Sequence, residues 1–391
     1  MPAATPIAPE SPACYYPPQE KITGTHGDVI WSRPLDSGSP AALASARTNE
    51  LVVYVSESVH GQAIAVSGLI ALPHTPAPTG GYPVISWAHG TIGSADVYAP
   101  SRDFEGSAAH PYNAFPHVLL NKFLDRGWAV VMTDYEGLGT EGPHPYLLGK
   151  SEARGILDIV RAARHLHPEL SDQFAIVGHS QGGQAALFGA HFAPEWTPEL
   201  TLRGVAALAP ASAIGELVKL ACLKPEPDGG NAFVALFVAG ALAGDPDIDR
   251  AQVLTPEANA VFAHVEERCR VELSQTDSWG KLAGPQLLRQ EESASRTALF
   301  KQFEAMHPNL VIQAPIRISQ ALSDQRVNAA LTAILVEQLS LTNGAGHVEY
   351  RPYLRVSQTH DPEELGFHFG LIDTDSDEVT NWLDRLLPKA K

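Results

Sequence analysis

A glycine-flanked serine is the reactive group that stands out in the chain. In residues 173–187 an apolar run ends in Gly178-His179-Ser180-Gln181-Gly182, and a small-residue helical pattern follows at once. Strand, sharp turn carrying a serine, then helix is the order of a nucleophile elbow. A side chain at 178 or 182 would crowd the bend. The turn lifts the Ser180 hydroxyl above the sheet edge, where the next helix aims free backbone N–H groups. Such a serine carries out acyl transfer once a base takes its proton. The bland alternative is a Gly-rich helix start with a capping serine.

The base works best when a carboxylate fixes its tautomer, and in this topology acid and then histidine follow the serine. The acid belongs just past an apolar strand. Residues 316–322 form such a strand and lead into Ser323-Asp324-Gln325-Arg326, so Asp324 is the candidate acid. A turn or helix-cap role, or a pairing with Arg326, is its structural alternative. Only His347, His360 and His368 follow it, and His347 stands at the wrong end of its strand. Counting forward from strand 348–354 favours His360; counting back from a last helix at 376–387 favours His368. The expectation is His360, with His368 as the alternative base.

A tetrahedral intermediate needs two donors. One is the N–H of Gln181. The other is expected from Thr91, after a strand that ends in Trp87-Ala88-His89-Gly90, where the glycine permits close approach. Asp134 and Glu136 also stand at a strand's carboxyl end, and they are read as holding a tight loop rather than lining the site. His165 and His167 have no third ligand nearby and read as a solvated helix end. No metal and no cofactor are expected.

These groups need a frame. Runs near 29–33, 51–56 and 63–72 suit an antiparallel start to a sheet. Continuous apolar strands at 82–88, 128–134, 173–178, 204–209, 316–322 and 348–354 alternate with helices at 117–126, 151–166, 181–192, 327–341 and 376–387. That alternation means an α/β chain with a mostly parallel sheet and helices on both faces. Residues 211–309 break it and read as helices. The organisation expected is an N-terminal arm of little structure (1–27), an α/β core (28–210 and 310–391) and a helical cap insert (211–309). Residues 231–243 are apolar all round, hence buried, either as packing or as a wall over Ser180.

The chain has 391 residues and a net charge of −17, from 44 acidic and 27 basic side chains. Such a surface repels phosphate backbones, so nucleic acid is not an expected partner. No transmembrane segment is expected, because the longest apolar run, 232–244, falls well short of the roughly 20 residues a bilayer requires. The Ala- and Pro-rich start looks like a chain trimmed of a signal peptide, which suggests a secreted or periplasmic location. Of Cys14, Cys222 and Cys269, the last two are the pair to test for a disulfide.

The motifs Ser86-Trp87-Ala88-His89-Gly90-Thr91, Asp134-Tyr135-Glu136-Gly137-Leu138-Gly139-Thr140, Gly142-Pro143-His144-Pro145-Tyr146 and Gly178-His179-Ser180-Gln181-Gly182-Gly183 together resemble the secretory lipase family, its bacterial branch in particular. Tyr98-Ala99-Pro100-Ser101 and Leu254-Thr255-Pro256 are similar to further motifs there. The resemblance implies the α/β-hydrolase fold with a helical cap. It implies a cofactor-free Ser-Asp-His ester hydrolase acting on small-molecule, lipid or polymer esters, with Ser180, Asp324, Thr91 and Gln181 in the roles above. Tyr98 stands where many relatives have a cysteine, so the disulfide they form there is not implied. The same residues would also serve an amide or peptide hydrolase, or an inactive binding module of the same fold.

Overall fold

Apolar strands buried on both faces form the frame of the molecule. The computed structural model describes residues 6–36, 38–359 and 365–387. Its strands are β1 (Val29–Pro34), β2 (Ala46–Glu57), β3 (Ala63–Pro73), β4 (Tyr82–Ala88), β5 (Ala129–Thr133), β6 (Leu170–His179), β7 (Thr201–Leu208), β8 (Ile316–Ala321) and β9 (Val348–Tyr353). They make one nine-stranded sheet in the order β1-β2-β3-β5-β4-β6-β7-β8-β9. The pairs from β1 to β5 are antiparallel, and those from β5 through β4 to β9 are parallel.

The longer helices are α1 (His117–Asp125), α2 (Gly149–Leu166), α3 (Gln181–Trp196), α4 (Ile214–Cys222), α5 (Asn231–Gly244), α6 (Ala294–Ala305), α7 (Ala329–Asn343) and α8 (Gly366–Asp384). Side chains alternate across a strand. Val84 and Ile176 therefore join the cluster under α2, α3 and α7, while Ile85 and Val177 join the cluster under α1 and α8. Register aligns the carboxyl ends: Ala88 pairs with Gly178, His179 with Leu208, and Leu208 with Ser319. The loops that leave β4, β6 and β8 thus emerge along one edge of the sheet.

Two expectations change. The segment of residues 6–27, expected as a loose arm, is packed against the core. Tyr15 donates its hydroxyl to the Ser101 carbonyl at 2.9 Å, Trp31 Nε1 donates to the Cys14 carbonyl at 2.8 Å, and Cys14 and Tyr15 are buried. Its Ala and Pro content hid two aromatic anchors, of which Tyr15 packs under the Arg102 guanidinium. The last helix begins at Gly366, ten residues before the expected start. The cluster Thr374-Asp375-Ser376 looks like a cap but lies inside the helix. Its hydroxyls donate back along it, Thr374 Oγ1 to the Gly370 carbonyl and Ser376 Oγ to the Asp373 carbonyl.

Asp375 has another task. It takes two parallel hydrogen bonds of 2.6 Å from the Arg317 guanidinium of β8, and further ones from Ser319 Oγ and the Tyr353 hydroxyl. Both members of the pair are buried, and bidentate geometry with additional donors is what makes a buried pair tenable.

Between β7 and β8 the chain runs through α4, α5, α6 and short helical turns. Their apolar faces form a cluster of their own that also takes in Tyr146, Leu147 and Leu148. The α5 helix is its centre. Gly240 lies so close to Tyr146 that an added Cβ would be 2.1 Å from the Tyr146 carbonyl oxygen.

Replacing Asp375 with Ala leaves Arg317 charged and buried without its partner. The expected loss of unfolding free energy is about 3–5 kcal/mol, read from urea denaturation monitored by tryptophan fluorescence.

Candidate active site

Ser180 sits between β6 and α3 with φ 60° and ψ −119°. Positive φ at a non-glycine residue costs of order 1–3 kcal/mol and is held only by its surroundings. Here the Ser180 N–H donates to the Leu208 carbonyl at 2.9 Å, and its own carbonyl accepts from Gln184 and Ala211, both at 3.1 Å. The flanking glycines are obligatory. A Cβ at Gly178 would stand 2.0 Å from the Gly182 carbonyl oxygen, and one at Gly182 would stand 1.9 Å from that of Ala88. Only 9 % of the Ser180 surface is exposed, so the hydroxyl is more enclosed than the elbow motif alone predicts.

Asp324 follows β8, as expected. Its Oδ1 accepts the N–H groups of Arg326 at 2.8 Å and Val327 at 3.0 Å, so the turn-holding alternative is also real. Its Oδ2 lies 2.7 Å from Nδ1 of His368. Burial would raise the Asp324 carboxyl. The charge and hydrogen bond of His368, with the two backbone N–H groups, outweigh it and hold the acid at about 2. His368 lies in the first turn of α8, buried, and His360 lies outside the described residues.

The His368 backbone is tied to the elbow. His179, the residue before Ser180, donates Nε2–H to the His368 carbonyl at 3.0 Å, with the two rings 4.3 Å apart. Burial, then the nearby His368 charge, push the His179 imidazole well below its ordinary value. It therefore stays neutral beside His368.

The Gly90 loop closes on the same place. A Cβ on Gly90 would lie 3.5 Å from Ser180 Cβ. Thr91 follows, and among the described residues its N–H has no hydrogen-bond acceptor. Its hydroxyl shares a 2.6 Å hydrogen bond with Tyr146. Gln181 is the first residue of α3, a position whose N–H has no partner within the helix.

The Gln181 side chain is anchored below the elbow. Its Nε2 is 2.7 Å from Glu152 Oε1 and 3.2 Å from His144 Nε2. His144 donates Nδ1–H to the Glu136 carbonyl at 2.8 Å, so its Nε2 is the acceptor. Burial lowers this imidazole to about 4 and raises the Glu152 carboxyl to about 8. A glutamate on the apolar face of α2, four residues before Ile156, was the available signal for this network, and the sequence analysis did not use it.

Asp134 accepts from Ser67 Oγ at 2.6 Å and from the Ser101 N–H at 3.0 Å, and Glu136 accepts the Val59 N–H at 2.9 Å. Both hold loops. His167 pairs with Glu50 at 2.8 Å, and His165 Nδ1 is 3.0 Å from the Gly27 carbonyl. The three cysteines are free, which overturns the suggested Cys222–Cys269 pair. Cys222 ends α4 against the turn at Gly284, whereas Cys269 bridges to Gly93 and caps another turn through Glu272. The Tyr98 hydroxyl donates to that same Glu272 at 2.8 Å.

A largely parallel sheet covered on both faces, with a serine at a strained strand-to-helix turn, defines an α/β-hydrolase. The chain belongs to the secretory lipase family, whose sequence pattern matches residues 113–386. Lipase 7 of Candida albicans is 30% identical over 92 residues, 23% of this chain and 21% of that protein. Lipase A of Arthroderma benhamiae is 26% identical over 209 residues, 51% of this chain and 44% of that protein. The matches thus span less than half the length of either curated relative. Among solved structures, the rice cell wall degrading esterase LipA from Xanthomonas oryzae superposes with a TM-score of 0.72 at 18% identity, covering 93% of this chain and 100% of that one. Candida antarctica lipase A superposes with a TM-score of 0.73 at 20% identity, covering 96% and 86%.

A carboxyl held at about 2 against an ordinary 3.8 favours the folded state above the higher value, and that contribution is lost as pH falls through 2. Replacing His368 with Ala removes the main lowering influence. The gap in urea midpoint between wild type and this variant is expected at pH 5 and to narrow by pH 2. Separately, thiol titration of unreduced, unfolded protein is expected to count all three cysteines.

Proposed function

We propose that the protein is a serine carboxylic ester hydrolase, an esterase or lipase, with Ser180 as nucleophile. The observation that carries the reading is the strained Ser180 elbow beside an acid–histidine pair whose backbone is bonded to that elbow. Ser180 Oγ attacks the ester carbonyl as His368 Nε2 takes its proton. Asp324 holds Nδ1–H and stabilises the imidazolium. The N–H groups of Thr91 and Gln181 receive the oxyanion. His368 then protonates the departing alcohol, and water clears the acyl-enzyme by the same steps in reverse. The pairing with Asp324 supports His368 over His360 as the base.

Residues 211–309 act as a cap over this edge of the sheet. A cavity of about 930 Å³ between cap and core has His144, Ser94 and Asp96 on one side and Leu242, Phe262 and Arg250 on the other. Its wall touches the Gln181 network through His144, while Ser180, Thr91, Gln181 and His368 are not among its lining residues. Family membership supports an extracellular location, and no described helix is long and apolar enough to cross a membrane.

The test is p-nitrophenyl ester hydrolysis across an acyl-length series, with the matching amide as control. Ser180→Ala or His368→Ala is expected to lower kcat by about 10⁴-fold or more. His360→Ala is expected to keep wild-type kcat. Full activity in His368→Ala would overturn the base assignment, and a preference for the amide would move the protein to the peptide-hydrolase class. A phosphonate probe is expected to label Ser180.

A further inference from the structure

Glu152 has no part in the chemistry described above, yet it lies directly beneath it. Its residue is 0 % exposed, on the face of α2 that packs against the elbow. Oε1 accepts two hydrogen bonds, from Gln181 Nε2 at 2.7 Å and from the Leu147 N–H at 3.0 Å. Oε2 has no hydrogen-bond partner among the described residues.

The donors fix the arrangement. One hydrogen of the Gln181 amide goes to the bare Nε2 of neutral His144, and the other goes to Glu152 Oε1. Oε1 is therefore the oxygen that holds Gln181, and Oε2, with no donor facing it among the described residues, is the oxygen that can carry a proton.

The surrounding groups offer no counter-charge. Tyr135 donates its hydroxyl to the His89 carbonyl, and Tyr146 shares its hydroxyl with Thr91. Both phenols are pushed upward by burial, and the Glu152 charge adds to that. His144 is neutral. Arg154, two residues along α2, pairs with Glu57 and donates to the Ser58 carbonyl. Arg270, from the cap, reaches the Tyr112 hydroxyl and influences Tyr146. An ionised carboxylate without a cation in such a place is costly, whereas a neutral acid is not.

We propose that Glu152 is a positioning residue that pins Gln181 so that the Gln181 N–H points into the oxyanion site, and that it serves there as a neutral acid because its ionised form sets a negative charge beneath that site. The inference rests on the reading of Gln181 as an oxyanion donor. Its chemistry is a proton leaving Oε2. The resulting negative charge lies one side chain away from the N–H that must stabilise a second negative charge, so transition-state stabilisation falls. With the acid at about 8, the loss belongs on the alkaline limb of the pH profile.

The experiment compares kcat/KM for a p-nitrophenyl ester from pH 6 to 10 in wild type, Glu152→Gln and Glu152→Ala, with Ser180→Ala subtracting spontaneous hydrolysis. In wild type, activity is expected to fall by about tenfold between pH 7 and pH 9.5 and then to level off, the behaviour of a supporting group that loses its proton. Glu152→Gln keeps an acceptor at Oε1 and cannot ionise, so its ratio of rates at pH 9.5 and pH 7 is expected to stay within about twofold of unity. Glu152→Ala is expected to lose about tenfold or more in kcat with KM little changed, and Gln at the same position restores it. Coincident profiles for wild type and Glu152→Gln would overturn the proposal, as would wild-type kcat in the Ala variant. The Gln comparison alone decides the matter if the Ala variant does not fold. Wild-type protein with no activity above the Ser180→Ala blank would overturn the ester-hydrolase reading and this one together. Activity with coincident profiles would remove only the role of Glu152.

Discussion

The buried pairing of Arg317 with Asp375 is the constraint on which the active edge depends. The strand that carries Arg317 ends at the loop of Asp324, and the helix that carries Asp375 begins with the turn of His368. Acid and imidazole therefore reach each other at 2.7 Å because two rigid elements are locked together well below them. A site built on a strand and a helix is held more accurately than one built on loops alone. Desolvating two charges is expensive, and the Ser319 and Tyr353 hydroxyls offset it by using further lone pairs of Asp375.

Among the groups packed around the Ser180 elbow, burial drives several to their neutral forms. His89, His144 and His179 are all driven towards the neutral form, and Glu152 towards the acid. Only Asp324 is pushed the other way. The result is a single strong anion facing a single imidazole, with neutral dipoles elsewhere. Such an environment leaves the field of backbone N–H groups undiluted where negative charge develops during acyl transfer.

Much of this was legible in the residues. The glycines around Ser180 announced the elbow because no other residue fits there, and the apolar strands announced a parallel sheet. Asp324 was legible because the topology leaves few carboxylates at the right strand end. What was not legible has physical reasons. The start of α8 differs from the expectation because Thr374 and Ser376, residue types common at helix starts, lie inside the helix with their hydroxyls donating to the carbonyls of Gly370 and Asp373. The weight given to His360 came from counting forward from the preceding strand, which carries no information about where α8 begins. The N-terminal segment was read from its prolines, whereas Tyr15 and the buried Cys14 decide its packing. Glu152 went unnoticed because an amphipathic pattern marks apolar positions and says nothing of a carboxylic acid that is meant to be buried.

Tyr98, Cys269 and Glu272 bear on how the protein can be made. The helical segment 211–309 meets the Gly93 loop through a backbone bridge and a phenol–carboxylate hydrogen bond, and the cysteines Cys14, Cys222 and Cys269 are free. Its attachment is therefore indifferent to the redox potential of the compartment in which the chain matures. Holding this helical segment to the Gly93 loop needs no thiol oxidation step.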